Sequence, residues 1–354
     1  MANDQKNGEF FPAKEEHKKD DAPAAPAKKD DKNEYVVSHS HPIENIVLVG
    51  RTGNGKSATG NTIVGTKVFK SKSKASGVTT ECHAVRTVTP EGPILNVIDT
   101  PGLFDLSQSA DFIGKEIVRC LTLADGGLHA VLLVLSARTR MSQEEEMVLS
   151  TLQVLFGSKI VDYLIVVFTG GDVLEDDGMT LQEYLGDNLP DFLKRVLILC
   201  GERMILFDNK TKDEEKKRKQ VHELLKLIDQ VREKNRNVPY TDEMYYKIKE
   251  ENDRHEREEE ALKSKSYSEE KFEALRKELQ LTNERNLKAM ADMLEKNMRI
   301  ANEAQQKLFE KREKEQELSL REKYELLEKL KHMEGRMRDQ MEAQMRTIQG
   351  CNIL

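Results

Sequence analysis

Tryptophan is absent from the 354-residue chain, and aromatic residues make up only 5% of it against 34% charged residues. A good part of such a chain is not expected to be packed globule. Long apolar runs are missing too. None reaches 18 residues, so the sequence predicts no membrane-spanning helix. Cysteine is sparse: Cys82, Cys120, Cys200 and Cys351 lie far apart, without a CxxC pair or a histidine at ligand spacing. That excludes a zinc site and a disulfide framework by pattern, and it predicts a reducing compartment. The N-terminus shows neither the apolar core of a signal peptide nor a glycine at position 2 for myristoylation. A net charge of -7 gives no basic footprint, so nucleic acid is not an expected partner. Proline stops at Pro239, and beyond it only Gly335 and Gly350 interrupt a sequence of Glu, Lys, Arg, Leu and Met.

Three textures follow one another. Residues 1–42 are rich in Lys, Asp, Ala and Pro without periodicity, which predicts a disordered arm. Residues 43–232 alternate short apolar runs (IENIVLV, AVRTVT, ILNVID, AVLLVL, YLIVVF, RMILF) with amphipathic stretches. This predicts an α/β domain with a mostly parallel central sheet and helices on both faces. The second and third runs are separated only by PEGP, too short and too proline-rich for a helix, so one strand should run antiparallel. Residues 233–349 read as a long helix, unbroken or broken once. Leu287, Ala291, Leu294, Met298, Ala301 and Leu308 keep a 3-4 spacing, and Leu330, Met333, Met337, Met341, Met345 and Ile348 form a second stripe after a charged gap. Either a coiled-coil seam or a helix folded back on the first domain fits that pattern.

The chemistry concentrates where the first apolar run meets Gly50-Arg51-Thr52-Gly53-Asn54-Gly55-Lys56-Ser57, continued by Ala58 into a helix. This is the G-x-x-x-x-G-K-S pattern in its required strand-to-helix context. Its glycines let the backbone approach a polyphosphate, and the amides and helix N-terminus face the anion. Lys56 supplies a point charge to the β- and γ-phosphates, and the Ser57 hydroxyl can enter a Mg2+ shell. Asp99, ending the third apolar run, can hold the same ion, and Gly102 in D-T-P-G can offer its amide to a γ-phosphate. Between these motifs, Thr79 or Thr80 can complete the metal shell. Asp172, after the run YLIVVFTGG, stands where a carboxylate accepts guanine N1–H and the 2-amino group; the lysine common in this loop of GTPases is replaced by Gly170. Asn209 can reach a base from the other side. Leu103 follows Gly102 where Ras-like enzymes carry a water-orienting Gln. Arg138 and Arg140 fall on a loop at the nucleotide end of the sheet.

The segments GRTGNGKSATGNTI, DTPGLFD, VLLVLSARTRMSQEEE, VVFTGGD and RMILFDNKTKD together resemble the AIG-type G domain of the immune-associated nucleotide-binding proteins, called GIMAPs in vertebrates, and in detail a plant member. The resemblance implies a P-loop GTPase fold, GTP/GDP and Mg2+ as ligands, G-domain dimerisation and a membrane address. It places Gly53, Lys56, Ser57, Asp99, Gly102, Asp172 and Asn209 at nucleotide-binding positions, and it offers Arg140 as a catalytic group acting across a dimer.

The chain closes on Cys351-Asn352-Ile353-Leu354, in residues 350–354, a C-a-a-X pattern in which leucine favours geranylgeranyl. A cytoplasmic protein attached peripherally to a membrane is the expectation. Function then reads as a slow, dimerisation-dependent GTPase acting as an assembly switch, with plant defence or stress suggested by the family name. The alternatives are a GTP-loaded scaffold that does not hydrolyse and recruits partners by its helical tail, and an ATP-using P-loop protein.

Overall fold

The computed structural model describes residues 42–71, 79–89, 93–103, 108–139, 143–186 and 189–351. The six apolar runs become strands β1 (Ile43–Val49), β2 (His83–Val88), β3 (Ile94–Asp99), β4 (Ala130–Ser136), β5 (Leu164–Thr169) and β6 (Met204–Phe207). They form one sheet in the order β2-β3-β1-β4-β5-β6. Every described pairing is parallel except β2 with β3, which is antiparallel as the PEGP connection predicts. Strands β3, β4 and β5 are buried at every position, because helices cover both faces and leave no alternating polar side. Edge strand β2 instead has only exposed and half-buried residues.

The helices are α1 (Lys56–Val64), α2 (Ala110–Leu123), α3 (Gln143–Phe156), α4 (Gly171–Asp176), α5 (Leu181–Leu185), α6 (Asp191–Leu199), α7 (Glu214–Lys234), α8 (Glu243–Lys263) and α9 (Glu269–Cys351). Ser109, Asp213 and Asp242 cap α2, α7 and α8 by accepting backbone N–H bonds, which satisfies donors that a helix start leaves open. The parallel register pairs Ser136 with Thr169, so the chain leaves β4 and β5 side by side at the same end of the sheet. That end carries the site, as expected for an open α/β sheet.

The helical region joins this core. Ala291, Leu294 and Met298 of α9 are buried within the same hydrophobic cluster as the sheet, and Leu287 and Met290 pack against it. Gly114 of α2 makes the approach possible: a Cβ there would lie 2.5 Å from the Ala291 carbonyl oxygen. Helix α8 is tied in by the Tyr245 hydroxyl, which accepts from Gly126 N–H at 2.9 Å. The middle of the first sequence stripe, Ala291 to Met298, is thus buried against the sheet domain, which is the folded-back arrangement. Leu330, Met333, Met337, Met341 and Met345 of the second stripe are exposed. The side chains of Leu308 and Ile348 fall outside the described residues.

Candidate nucleotide site

Strand β1 runs directly into the phosphate loop, and the loop is pinned to two neighbouring strands. Gly50 (φ +142°) turns the chain so tightly that a Cβ would sit 2.4 Å from the Val134 carbonyl oxygen of β4. Only glycine fits this backbone and this approach. Asn54 donates from Nδ2 to that same Val134 carbonyl at 3.0 Å. Thr169 Oγ1, at the end of β5, donates to the Asn54 carbonyl at 2.7 Å. Buried Lys56 donates from Nζ to the carbonyls of Gly50 (2.8 Å) and Arg51 (3.0 Å), which holds its ammonium under the loop. Arg51, Thr52, Gly55, Ser57 and Ala58 are half-buried and Gly53 is exposed, so the loop keeps one open side.

Beside the loop, three oxygen-bearing side chains converge. Ser57 Oγ donates to Asp99 Oδ2 at 2.6 Å and lies 3.0 Å from Thr79 Oγ1, which in turn lies 3.5 Å from Asp99 Oδ2. Thr79 is therefore the member of the threonine pair that reaches the site; Thr80 is exposed. Asp99 is only 1% exposed, and its Oδ1 is a buried oxygen with no hydrogen-bond partner. Burial pushes the Asp99 carboxyl above the usual range, against the pull of Ser57 and Lys56. An all-oxygen set with one orphaned carboxylate oxygen fits a hard divalent cation such as Mg2+. Gly102 and Leu103 follow on a tight turn in which Leu103 N–H donates to the Pro101 carbonyl at 2.7 Å. The Leu103 side chain is 1% exposed and belongs to the hydrophobic core.

The other half of the site lies beyond β4, β5 and β6. Asp172 sits in the first turn of α4, and Arg138 Nη2 donates to both of its carboxylate oxygens, with 2.5 Å to Oδ1. Lys210 Nζ is 3.0 Å from Oδ2. Burial alone raises the Asp172 carboxyl, but these two cations outweigh it and hold it below the usual range. Asn209 is engaged at both ends by α1: Nδ2 donates to Thr59 Oγ1 at 2.9 Å, and Oδ1 accepts from Thr62 Oγ1 at 2.8 Å. It braces the loop after β6 against α1. Arg140 lies outside the described residues, as does the side chain of Cys351.

A sequence model of the AIG1 family matches residues 44–260, more than half of the chain. The chain belongs to the AIG1 family. Over all 354 residues, and the whole of both chains, it is 78% identical to immune-associated nucleotide-binding protein 8 of Arabidopsis thaliana. Protein 7 of the same series and organism is 56% identical over 272 residues, covering 77% of this chain and 88% of that relative. Among solved structures, Toc33 from Arabidopsis thaliana in complex with GDP and Mg2+ shares 19% identity at a TM-score of 0.43, covering 53% of this chain and 84% of that one. The AIG1 match continues past β6 and α7 into α8, so it includes the helix that Tyr245 ties to the sheet domain.

Sequence reasoning missed Thr169, Lys210 and the Arg138–Asp172 contact at this AIG1-family site. The β4–β5 register would have revealed the last: Arg138 stands two residues past Ser136, and Asp172 three past its partner Thr169.

Proposed function

We propose that this AIG1-family protein binds GTP and GDP with Mg2+ and works as a slow, dimerisation-dependent GTPase switch on a membrane surface. The observation that carries the nucleotide reading is the meeting of Ser57, Thr79 and Asp99 beside the Lys56 loop, with Asp99 Oδ1 left without a partner. Ser57, Thr79 and Asp99 would hold Mg2+, whose chemistry is to neutralise charge on the β- and γ-phosphates. Lys56 turns its ammonium from the loop carbonyls to the phosphate oxygens, and the Gly102 amide reports the γ-phosphate. Asp172 accepts the two adjacent donors of guanine.

Turnover is slow in this account because buried Leu103 offers no group to orient an attacking water. Arg140 supplies charge to a partner subunit's nucleotide, so specific GTPase activity rises with protein concentration. Arg140→Ala flattens that rise and leaves binding intact, since a charge used only in the transition state lowers turnover and not affinity. Activity linear in concentration would overturn the shared-site mechanism, and no turnover where dimers form would support the second reading, a GTP-loaded scaffold that does not hydrolyse. The core position of Leu103 and the exposed stripe from Leu330 to Met345 favour that alternative. Prenylated Cys351 provides the membrane attachment, and Cys351→Ser shifts the protein to the soluble fraction of prenylation-competent cells. The immune-associated name of the relatives supports plant defence or stress as the process.

Binding is tested by calorimetry with GTP in excess Mg2+. Lys56→Ala weakens affinity by roughly tenfold to a hundredfold, the loss of charge-assisted hydrogen bonds to phosphate. Equal affinity in the variant and the native protein overturns the assignment.

A further inference from the structure

The guanine-reading carboxylate has a cationic ligand of its own. Arg138 Nη2 donates to both oxygens of Asp172, and Lys210 adds a third contact on Oδ2. A carboxylate offers about four acceptor sites, so these contacts leave too few for the two adjacent donors of guanine. The Arg138 side chain reaches Asp172 by crossing Gly170. A Cβ at Gly170 would lie 3.0 Å from Arg138 Cγ and 3.4 Å from its Nε, and the backbone there is left-handed (φ +94°). Glycine at this position therefore keeps open the path of the arginine. The pair is built by the fold: Ala137 N–H donates to the Thr169 carbonyl at 2.8 Å, and Arg138 N–H donates to Ser136 Oγ at 3.2 Å, which fixes the arginine's backbone beside the Gly170 turn.

We propose that Arg138 sets the affinity of the site for guanine by competing, within the same chain, for the two oxygens of Asp172. The proposal rests on the reading of Asp172 as the base-binding carboxylate. A guanine base exchanges two hydrogen bonds from one guanidinium nitrogen for two of its own, so its net gain is small. A base without two adjacent donors, such as adenine, has nothing to offer in that exchange, and its nucleotide is held by the phosphate loop alone. Because Arg138 and Asp172 are each partly open to solvent, at 38% and 22% side-chain exposure, the guanidinium can move aside. The contact consequently lowers guanine affinity and speeds release, without touching the phosphate end.

Equilibrium and stopped-flow titrations with fluorescent GDP and ADP in Mg2+ test this on the full chain. Arg138→Met keeps the stem and removes the charge; it should tighten GDP binding by about threefold to tenfold, mainly through slower release, and leave ADP binding unchanged. Arg138→Lys should fall between the variant and the native protein. Salt weakens the phosphate contacts in both proteins, but raising it should weaken GDP binding less in the native protein than in Arg138→Met, because only the former has the competing ion pair to screen. Weaker GDP binding by Arg138→Met overturns the proposal and makes Arg138 a support of Asp172. Unchanged GDP binding, or GDP and ADP shifting together, overturns it equally. Asp172→Asn separates the two layers: if it leaves the preference for GDP over ADP intact, the base-reading role itself fails. If it abolishes that preference while Arg138→Met has no effect, only the competition fails.

Discussion

Asp99 is the residue on which the proposed Mg2+ site rests. Its Oδ2 is bonded to Ser57, its Oδ1 has no partner, and burial alone would favour the neutral acid. Ser57→Ala removes one oxygen from this set. GTP affinity in Mg2+ should then fall by roughly tenfold or more, while affinity in EDTA changes little, as nucleotide fluorescence would report. Gly50 belongs to the same loop by geometry alone. Gly50→Ala places a methyl 2.4 Å from the Val134 carbonyl oxygen on a left-handed backbone, and should destabilise the fold by about 1–3 kcal/mol or more in urea titrations. His129 gives the pH dependence. Burial, then the nearby Arg232, lower its pKa to about 4, and its Nδ1 accepts the Asn45 N–H at 3.0 Å. Its folded pKa lies below the unfolded value near 6.5. The contribution is therefore fully present above pH 6.5 and is lost as pH falls from there toward 4. With partial exposure discounted, the loss should reach about 1–2 kcal/mol in urea titrations across that window. At this scale the phosphate end was legible in the sequence, because Lys56, Ser57 and Asp99 stand in motifs whose spacing encodes their meeting. The choice of Thr79 over Thr80 was not, since adjacent threonines differ only in which way the loop turns them.

Among the elements, the sheet followed from the apolar runs because strands buried on both faces need continuous hydrophobicity. The helical character of the C-terminal region was equally legible from the absence of proline, but its division into α8 and α9, separated at residues 264–268, was not, since no proline or glycine marks the break. What its apolar stripe touches was not, because a 3-4 spacing serves a coiled coil and a docked helix alike. Gly114 decides between them in the structure, by letting α2 come within reach of the Ala291 backbone. Gly114→Val should force α2 and α9 apart, lower stability by about 1–3 kcal/mol and raise proteolysis and amide exchange between Leu287 and Met298. Unchanged protection across that segment would show that α9 does not rest there in solution. The Arg138–Asp172 contact was hidden for a similar reason. It joins residues 34 apart through the β4–β5 register, which apolar runs imply only loosely.

At the scale of the whole molecule, two ends of one sheet edge are offered to one ligand. Under the proposed function the loop after β1, with Asp99, would take phosphate and Mg2+; the turns after β4, β5 and β6 present Asp172, already engaged by Arg138 and Lys210. Both ends depend on β4 and β5: the Val134 carbonyl and Thr169 hold the phosphate loop, and the turns that follow these strands carry Arg138 and Asp172. The most direct test is displacement of bound fluorescent GDP by unlabelled GTP, ATP and XTP in Mg2+, repeated with EDTA. GTP should displace the label at lower concentration than ATP or XTP, by a modest factor in the native protein because Arg138 engages Asp172, and chelation of Mg2+ should weaken it. ATP displacing as well as GTP would contradict the account and leave a P-loop protein that reads phosphate without reading guanine.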